Sequence, residues 1–275
     1  MRFRFSLDAT AYEADFNRPM PIGIPVEFSG RQPNFFEADM AKARALDFGG
    51  FVGDTRRGGS CNVETLTITP HCNGTHTECA GHVLDQPMSV LDTVSPTPCL
   101  ALVVSVHPDS AEHSDDSYSV PLDPDEPLIT RQALDLALKP LAKSPPAQAL
   151  VVRTLPNGPD KLWRHYRGAS GHPFLSIEAM ERVLELSIAH LLIDTPSVDR
   201  AQDNGKLWVH RMFWGIEQGS RTAPTEELPK RSITEMIYVP DDIADGLYLL
   251  DLHIAPFAIE AAPSRPILYP LRTVP

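Results

Sequence analysis

Three histidines, one glutamate and two cysteines fall within His71-Cys72-Asn73-Gly74-Thr75-His76-Thr77-Glu78-Cys79-Ala80-Gly81-His82. The whole chain has 10 histidines in 275 residues, so composition alone places fewer than one in such a window. Neutral imidazole, carboxylate and thiolate are the usual ligands of zinc and related ions. A water held by such an ion loses a proton near neutral pH and attacks a carbonyl. Gly74-Thr75 permits a tight backbone turn between candidate ligands. His76 and Glu78 are two residues apart, so an extended backbone turns them to one side. Cys72 lies four before His76, and a turn at Asn73-Gly74 brings it round towards the same ion. There is no paired C-x-x-C, so this is not a zinc-finger pattern. The plainer reading is of loop histidines that pack and cap backbone groups.

The elements around this segment decide whether it can act as a site. Residues 63–69 alternate and are β-branched, so they read as a strand that Pro70 ends. The histidine segment then leaves that strand as a loop, a common place for catalytic groups. Further strands are predicted at 99–106, 149–153, 191–193, 233–239 and 247–254. Helices are predicted at 37–45, at 130–138 with a stop near Pro140, and after Ser176. In the last of these Ile177, Met180, Val183, Leu184 and Ile188 keep a 3.6-residue period. The helix-strand rhythm from 130 to 194 predicts an α/β fold with parallel pairing there. Residues 240–246 allow a long hairpin or a crossing between the last two strands. The final thirteen residues contain four prolines and should be extended.

The 27 prolines predict many ordered loops rather than a helical bundle. Residues 1–60 look irregular. Within them Asn34-Phe35-Phe36 either packs as a loop, the plainer reading, or forms an arm that wraps a partner or roofs a pocket. The net charge of −12 argues against nucleic acid as a partner and against an anionic membrane surface. No apolar run is long enough for a transmembrane helix, and the N-terminus lacks a signal-like stretch, so a cytoplasmic location is expected. Cys61, Cys72, Cys79 and Cys99 are then expected to be reduced, and metal ligation or burial explains them better than disulfides.

The segment resembles the signature of the cyclase family, which includes bacterial kynurenine formamidase and isatin hydrolase. That signature reads His-x-Gly-Thr-His-x-Asp-x-Pro-x-His. Aligned on Gly74-Thr75-His76, it puts Cys72 at the first His, Glu78 at the Asp, Ala80 at the Pro and His82 at the last His. Ile193-Asp194-Thr195-Pro196-Ser197-Val198-Asp199 matches a second block, Gly-x-Asp-Thr-Pro-Ser-x-Asp. His210 and Glu235 fall where the family supplies later ligands, and residues 247–270 resemble its closing strands. The resemblance implies one α/β domain with a mixed β-sheet or flattened barrel and helices packed outside, of the swivelling β/β/α type. It implies an N-terminal arm over 1–60, a catalytic domain over 61–275, and a homo-oligomer, dimer or tetramer, that the arm helps to join. It also implies one or two divalent metals, zinc first and manganese second, held by Cys72, His76, Glu78, His210 and Glu235. His82 would serve as general base and acid. Asp194 would orient a ligand or else cap the turn after its strand.

Two positions depart from the pattern. Cys72 stands for a His, and a thiolate favours zinc over manganese or magnesium; the alternative is a small buried thiol. His71 next to it can substitute, although adjacent residues point apart. Glu78 stands for an Asp and reaches one bond further. The implied activity is cleavage of an amide or lactam C–N bond in a small, aromatic substrate, as in an arylformamidase. A lactone or cyclic-ester hydrolase, a non-catalytic relative with a depleted metal site, and a closed structural zinc site are the alternatives. His165, His172 and His190 read as structural or surface residues, and His253 as a core-lining one. Gly168-Ala169-Ser170-Gly171 lacks the context of a phosphate loop. Trp163, Tyr166, Trp208, Phe213 and Trp214 either line an aromatic pocket or pack in the core.

Overall fold

The computed structural model describes residues 1–7, 10–95, 97–167, 171–225 and 228–274. Its centre is a barrel closed by seven strands: β3 (His76–Glu78), β4 (Cys99–Val106), β5 (Ala149–Thr154), β6 (His190–Ile193), β7 (Ser232–Glu235), β8 (Gly246–Ile254) and β9 (Ala261–Val274). They run in the order β9-β8-β4-β5-β6-β7-β3, and β3 pairs back onto β9 to close the ring. β4, β5, β6 and β7 are parallel, and the other pairings are antiparallel. The α/β class is therefore as expected, with the sheet closed rather than open. A hairpin of β1 (Arg2–Leu7) and β2 (Thr10–Asp15) extends the far end of β9, where Leu271–Val274 pair with Ala11–Ala14.

The parallel strands are buried on both faces, as strands covered on both sides must be. Alternate residues of β4, β5 and β6 face two different cores. Ala101, Val103, Ala149, Val151 and Leu192 fill the barrel interior with Ile22, Ile237, Leu250 and Leu268. Leu100, Leu102, Val104, Leu150, Val152, Leu191 and Ile193 face the outer layer. That layer contains α2 (Arg131–Leu138) and α3 (Ile177–Glu185), which bring Leu134, Leu138, Ala179, Met180 and Val183 against the wall. Both helices begin as the sequence predicts. The Thr130 hydroxyl accepts from the Ala133 N–H at 3.1 Å, and the Ser176 hydroxyl from that of Ala179 at 2.9 Å.

Two of these expected elements are corrected. Residues 37–45 are not a helix. Phe36 and Glu37 sit at positive φ (56° and 52°), and Lys42–Ala45 is a strand paired with Glu64–Thr67. Helix-favouring residues yield there to a partner strand, because propensity is weak beside pairing. The strand at 63–69 is this partner and lies outside the barrel. The strand predicted at 233–239 stops at Glu235, because Met236 takes a positive φ of 53°. The chain then crosses to β8, which pairs with β4 and β9, so of the hairpin and the crossing left open between the last two predicted strands, the crossing is the one seen. The extended C-terminus is seen up to Val274. The Gly168–Ser170 part of the discounted glycine segment lies outside the described residues. All four cysteines are free, and among the described residues no helix is long and apolar enough to cross a membrane.

Candidate metal centre

Four of the five predicted ligands come together at one end of the barrel. β3 places His76 and Glu78 on one side of the sheet, with both side chains fully buried. Antiparallel pairing sets Glu235 of β7 directly opposite His76, and Ile233 opposite Glu78. The intervening Thr77 points the other way, where its hydroxyl meets that of Thr234 at 2.8 Å. His210 arrives from α4 (Trp208–Trp214) and puts Nε2 2.8 Å from Glu78 Oε1 and 3.4 Å from Glu235 Oε1. His76 Nε2 lies 3.5 Å from Glu235 Oε2. Glu78, His210 and Glu235 form a buried group whose ligand atoms lie within 4.8 Å of one another.

Three of these four side chains are oriented by a partner behind them. His76 Nδ1 donates to the Gly74 carbonyl at 3.0 Å, which leaves Nε2 as an acceptor facing the group. Gly74 has a φ of 157°, and a Cβ there would meet Val26 Cγ2 at 2.8 Å. Thr75 donates its hydroxyl proton to the Met236 carbonyl and accepts from the Ile24 N–H. The N-terminal strap is thus tied to the motif. Glu235 Oε1 accepts from the Val198 N–H at 2.8 Å. Asp199 does most: its oxygens take the N–H groups of Val209 and His210, at 2.8 and 3.1 Å, and His210 Nδ1 at 2.6 Å. One carboxylate therefore caps α4 and sets the ring of its second residue.

The electrostatics are those of an acidic pit. Burial lowers the pKa of His210, but the charge of Glu78, the bond to Asp199 and the carboxylate of Glu235 close by outweigh it and raise His210 well above its ordinary value. Burial likewise opposes ionisation of Glu235, yet the imidazoles of His210 and His76 beside it hold its carboxyl far below the usual range. Glu78 is lowered too, against burial, by the charges of His82 and His210. The decisive observation is what these contacts leave over. His76 Nε2 and both Glu78 oxygens are buried and have no partner in hydrogen-bond geometry. Buried polar atoms are paired in the great majority of cases. Three orphaned lone-pair atoms facing each other are what a divalent cation satisfies, so the residues present fit one.

His71, not Cys72, faces this group. His71 Nδ1 is 3.4 Å from Glu78 Oε2, and His71, His76 and Glu78 form a second group of closely spaced ligand atoms. Cys72 lies in the short helix α1 (Pro70–Asn73); it is buried, and it belongs to none of the ligand groups found among the described residues. Burial pushes its thiol up, away from the thiolate form. His82 stands at the rim, with Nδ1 3.8 Å from Glu78 Oε2 and about a quarter of its side chain exposed. Burial lowers its pKa, against the pull of Glu78.

Sequence reasoning left three contributors without their roles. Asp199 was visible in the second block, but its hold on His210 was not. Asp194, expected either to orient a ligand or to cap the turn after its strand, accepts from Thr154 and from Lys161 Nζ at 2.7 Å. Glu260 carried no signal. It precedes β9 and places its oxygens 3.1 and 3.3 Å from His71 Nε2. The other histidines lie apart from this centre. His253 is over half exposed beside Asp251, which corrects its expected place in the core. Phe213 and Trp214 are fully buried core residues, and Trp214 packs its ring 5.4 Å from that of His210.

The group opens into a cavity of about 370 Å3. Phe35, Phe36, Pro196 and Leu207 supply apolar walls, and His71, His82, His210 and Glu235 the polar floor. Phe35 and Phe36 of the segment read either as loop packing or as an arm both line it, with rings 3.9 Å apart, Phe35 buried and Phe36 65% exposed. A larger groove of about 930 Å3 runs beside α2 and α3. Its charged residues Arg131, Asp135, Arg182 and Glu185 are paired with one another, and it is remote from the ligands.

His172 supports the cavity from behind. It is 3% exposed, stands edge-on to Phe35, and its Nε2 donates to the Asp199 carbonyl at 3.0 Å. Burial pushes its imidazole from 6.5 down to about 4. A depressed value means that the unfolded chain takes up a proton before the folded one does. The stability involved is present above pH 6.5 and lost as pH falls towards 4. The full loss is about 3 kcal/mol. Urea midpoints measured from pH 7 to 4 are expected to fall, and His172→Gln to flatten that part of the curve.

A search of curated proteins gives no match to this chain. Solved structures do resemble it. An isatin hydrolase bound to the product analogue thioisatinate superposes with a TM-score of 0.61 at 14% identity, over 93% of each chain. Isatin hydrolase A from Labrenzia aggregata, bound to benzyl benzoate, gives 0.59 at 15% identity, over 92% of this chain and 93% of that one. A predicted metal-dependent hydrolase from Bacillus stearothermophilus gives 0.56 at 13% identity, over 92% and 98%. At such identities these establish a shared fold. The family model described as "Putative cyclase" matches residues 12–200, a span that includes the histidine motif and the Asp194–Asp199 block. With well over half of the chain matched, the protein belongs to the putative cyclase family.

Proposed function

We propose that this chain is a metal-dependent hydrolase that cleaves the amide or lactam C–N bond of a small aromatic substrate, in the manner of an arylformamidase. The observation that carries the reading is the set of orphaned atoms on His76 and Glu78, which lie against His71, His210 and Glu235 in the lining of an aromatic-walled cavity. His76, Glu78, His210 and Glu235 would hold the ion, with His71 completing the set in place of Cys72. With His71 the donors are imidazole and carboxylate only, a set that accepts zinc and manganese alike. When bound, a divalent ion polarises a carbonyl and makes water acidic enough to supply hydroxide near neutral pH.

The chain's own groups do the rest. Asp199 keeps the His210 proton on Nδ1, so Nε2 faces Glu78 and Glu235. His82, on the rim, is placed to take a proton from the attacking water and return it to the leaving nitrogen; an amide nitrogen departs poorly without one. Phe35 and Phe36 would hold a flat apolar group and keep bulk water out. Arg200 also lines the cavity, but it is already paired with Glu126 and Asp123, so a neutral substrate suits the pocket better than an anion. The exposed phenylalanines Phe48 and Phe51, with Leu66, offer apolar surface to the proposed homo-oligomer. Formate release from N-formyl arylamines, and ring opening of lactams and lactones, should be measured with zinc or manganese added. Hydrolysis of an amide or lactam is expected. No turnover with any divalent metal sinks the hydrolase, and turnover of lactones alone moves the substrate class to cyclic esters.

A further inference from the structure

We propose that His71, His82 and Glu260 form an outer cation site, separate from the buried group, that takes up a divalent transition-metal ion such as zinc and stops turnover when filled. The three offer ligand atoms within 4.8 Å of one another. His71 Nε2 is 3.1 Å from Glu260 Oε2, and His82 Nδ1 is 4.0 Å from the same oxygen. Ligand atoms around a tetrahedral zinc ion, with bonds near 2.0 Å, stand about 3.3 Å apart. A small inward movement of His82 therefore completes three legs of a tetrahedron. The two rings already lie 4.3 Å apart at an angle of 32°.

The donors sit on three backbone segments that hold one another. His71 is in α1, His82 in the turn Ala80–Val83, and Glu260 immediately before β9. The Cys79 N–H donates to the Glu260 carbonyl at 3.0 Å, and the His82 N–H to the Cys79 carbonyl at 2.9 Å. The side chains are 24%, 27% and 37% exposed, so an ion reaches them from solvent and keeps a fourth position open to water. Such a site is exchangeable, unlike the buried one. His253 with Asp251 supplies two donors for comparison, one fewer than this trio.

Of the five residues proposed for the inner ion, the outer trio shares His71 alone, and it shares none with Glu78, His210 and Glu235. With His71 turned outward, His76, Glu78, His210 and Glu235 still hold the inner ion, so both can be filled at once. His71 is the point of competition: it turns Nδ1 towards Glu78 and Nε2 towards Glu260. A neutral imidazole has one lone pair to give, so His71 serves the inner ion or the outer one. An outer ion also takes His82 Nδ1, the nitrogen that faces Glu78. The binding site stands on geometry alone, whereas the effect on turnover rests on the proposed role of His82.

The test uses the full chain, stripped of metal with a chelator and titrated with zinc in equilibrium dialysis. The parent is expected to show a tight class and a weaker class of site. Glu260→Gln should keep the tight class and weaken the other by about ten-fold or more. His82→Gln should do the same, which guards against a fault peculiar to one variant, and retention of the tight class reports folding. A parent without a weaker class, or one whose weaker class survives both substitutions, overturns the site. Turnover should fall as the weaker class fills; undiminished turnover with both classes filled overturns the blocking role. If the weaker class behaves as expected but no amide, lactam or lactone is hydrolysed, the outer site stands and the hydrolase reading fails.

Discussion

Glu78→Gln is expected to abolish tight metal binding and to leave the metal-free protein somewhat less stable than the metal-free parent. Glu78 is the residue common to both inner ligand groups, and both of its oxygens are buried without a hydrogen bond. In the metal-free protein the lost hydration is outweighed by the charges of His82 and His210, which hold the carboxyl low, so the anion stabilises the fold and glutamine costs some stability. With metal present the loss grows, because one of the two anionic oxygens becomes a neutral amide nitrogen that binds no cation. Affinity should fall by more than about 100-fold, since partners one step behind a ligand already account for 10–100-fold. Turnover should fall with it. The cleanest readout is the melting temperature with and without zinc. An ion at a thousand times its dissociation constant adds about 4 kcal/mol to the parent. The parent should therefore melt markedly higher with zinc, and the variant should not move. A variant that keeps the zinc-dependent shift would remove Glu78 from the ligand set.

The sequence made the barrel wall readable because that wall is written locally. β4, β5 and β6 are runs of Val, Leu, Ile and Ala buried on both faces, and such runs have few other uses in a chain of this length. The helices were readable where period and cap agreed, as at Ser176. The stretch 37–45 misled because its alanines and charges favour a helix in isolation. Its pairing with Glu64–Thr67 is a contact across some twenty residues that no local pattern reports. No local pattern reports closure of the ring either; the flattened-barrel alternative came from the family resemblance. Closure depends on the three residues of β3 meeting β7 on one side and β9 on the other.

At the site, the legible residues were those whose spacing already fixed their direction. His76 and Glu78 had to share a side once β3 was extended. The choice between His71 and Cys72 was not legible, because both lie in one helical turn and neighbours there point about 100° apart. Only the packing of α1 against β9 and the N-terminal strap decides which one faces Glu78. Glu260 could not be found at all: a single acid before a proline-rich strand has no periodicity, and its meaning comes from lying beside Cys79 in space. Asp199 was an intermediate case. Its place in the second block was plain, but its grip on His210 spans a loop whose path the sequence does not give.

That loop brings the second large effect. Lys161→Met is expected to destabilise the fold by about 3–5 kcal/mol, the range for removing one partner of a buried ion pair. Lys161 and Asp194 are 4% and 0% exposed, and Lys161 Nζ lies 2.7 Å from Asp194 Oδ2. Nζ also donates to the Thr154 carbonyl at 2.6 Å and to Asn157 Oδ1 at 3.3 Å, so methionine leaves several polar atoms unpaired together. Burial already pushes the Asp194 carboxyl up, with Lys161 and Thr154 pulling it back. Without Lys161 it can take up a proton, which holds the loss towards the lower end of that range. Lys161→Met combined with Asp194→Asn should recover much of the stability, because the amide oxygen still accepts from Thr154 and no charge is stranded. Urea unfolding of the two single variants and the double variant measures this as a coupling energy. The consequence reaches the metal centre through the chain itself. Asp194 anchors the start of the segment whose Val198 N–H holds Glu235 and whose Asp199 holds His210. Zinc affinity should therefore drop in Lys161→Met, although Lys161 is in none of the ligand groups, and should return in the double variant. Recovery of stability without recovery of zinc affinity would mean that the charge on Lys161 acts on the ligands directly. Recovery of both would show that the buried pair matters by fixing the path from Asp194 to Asp199.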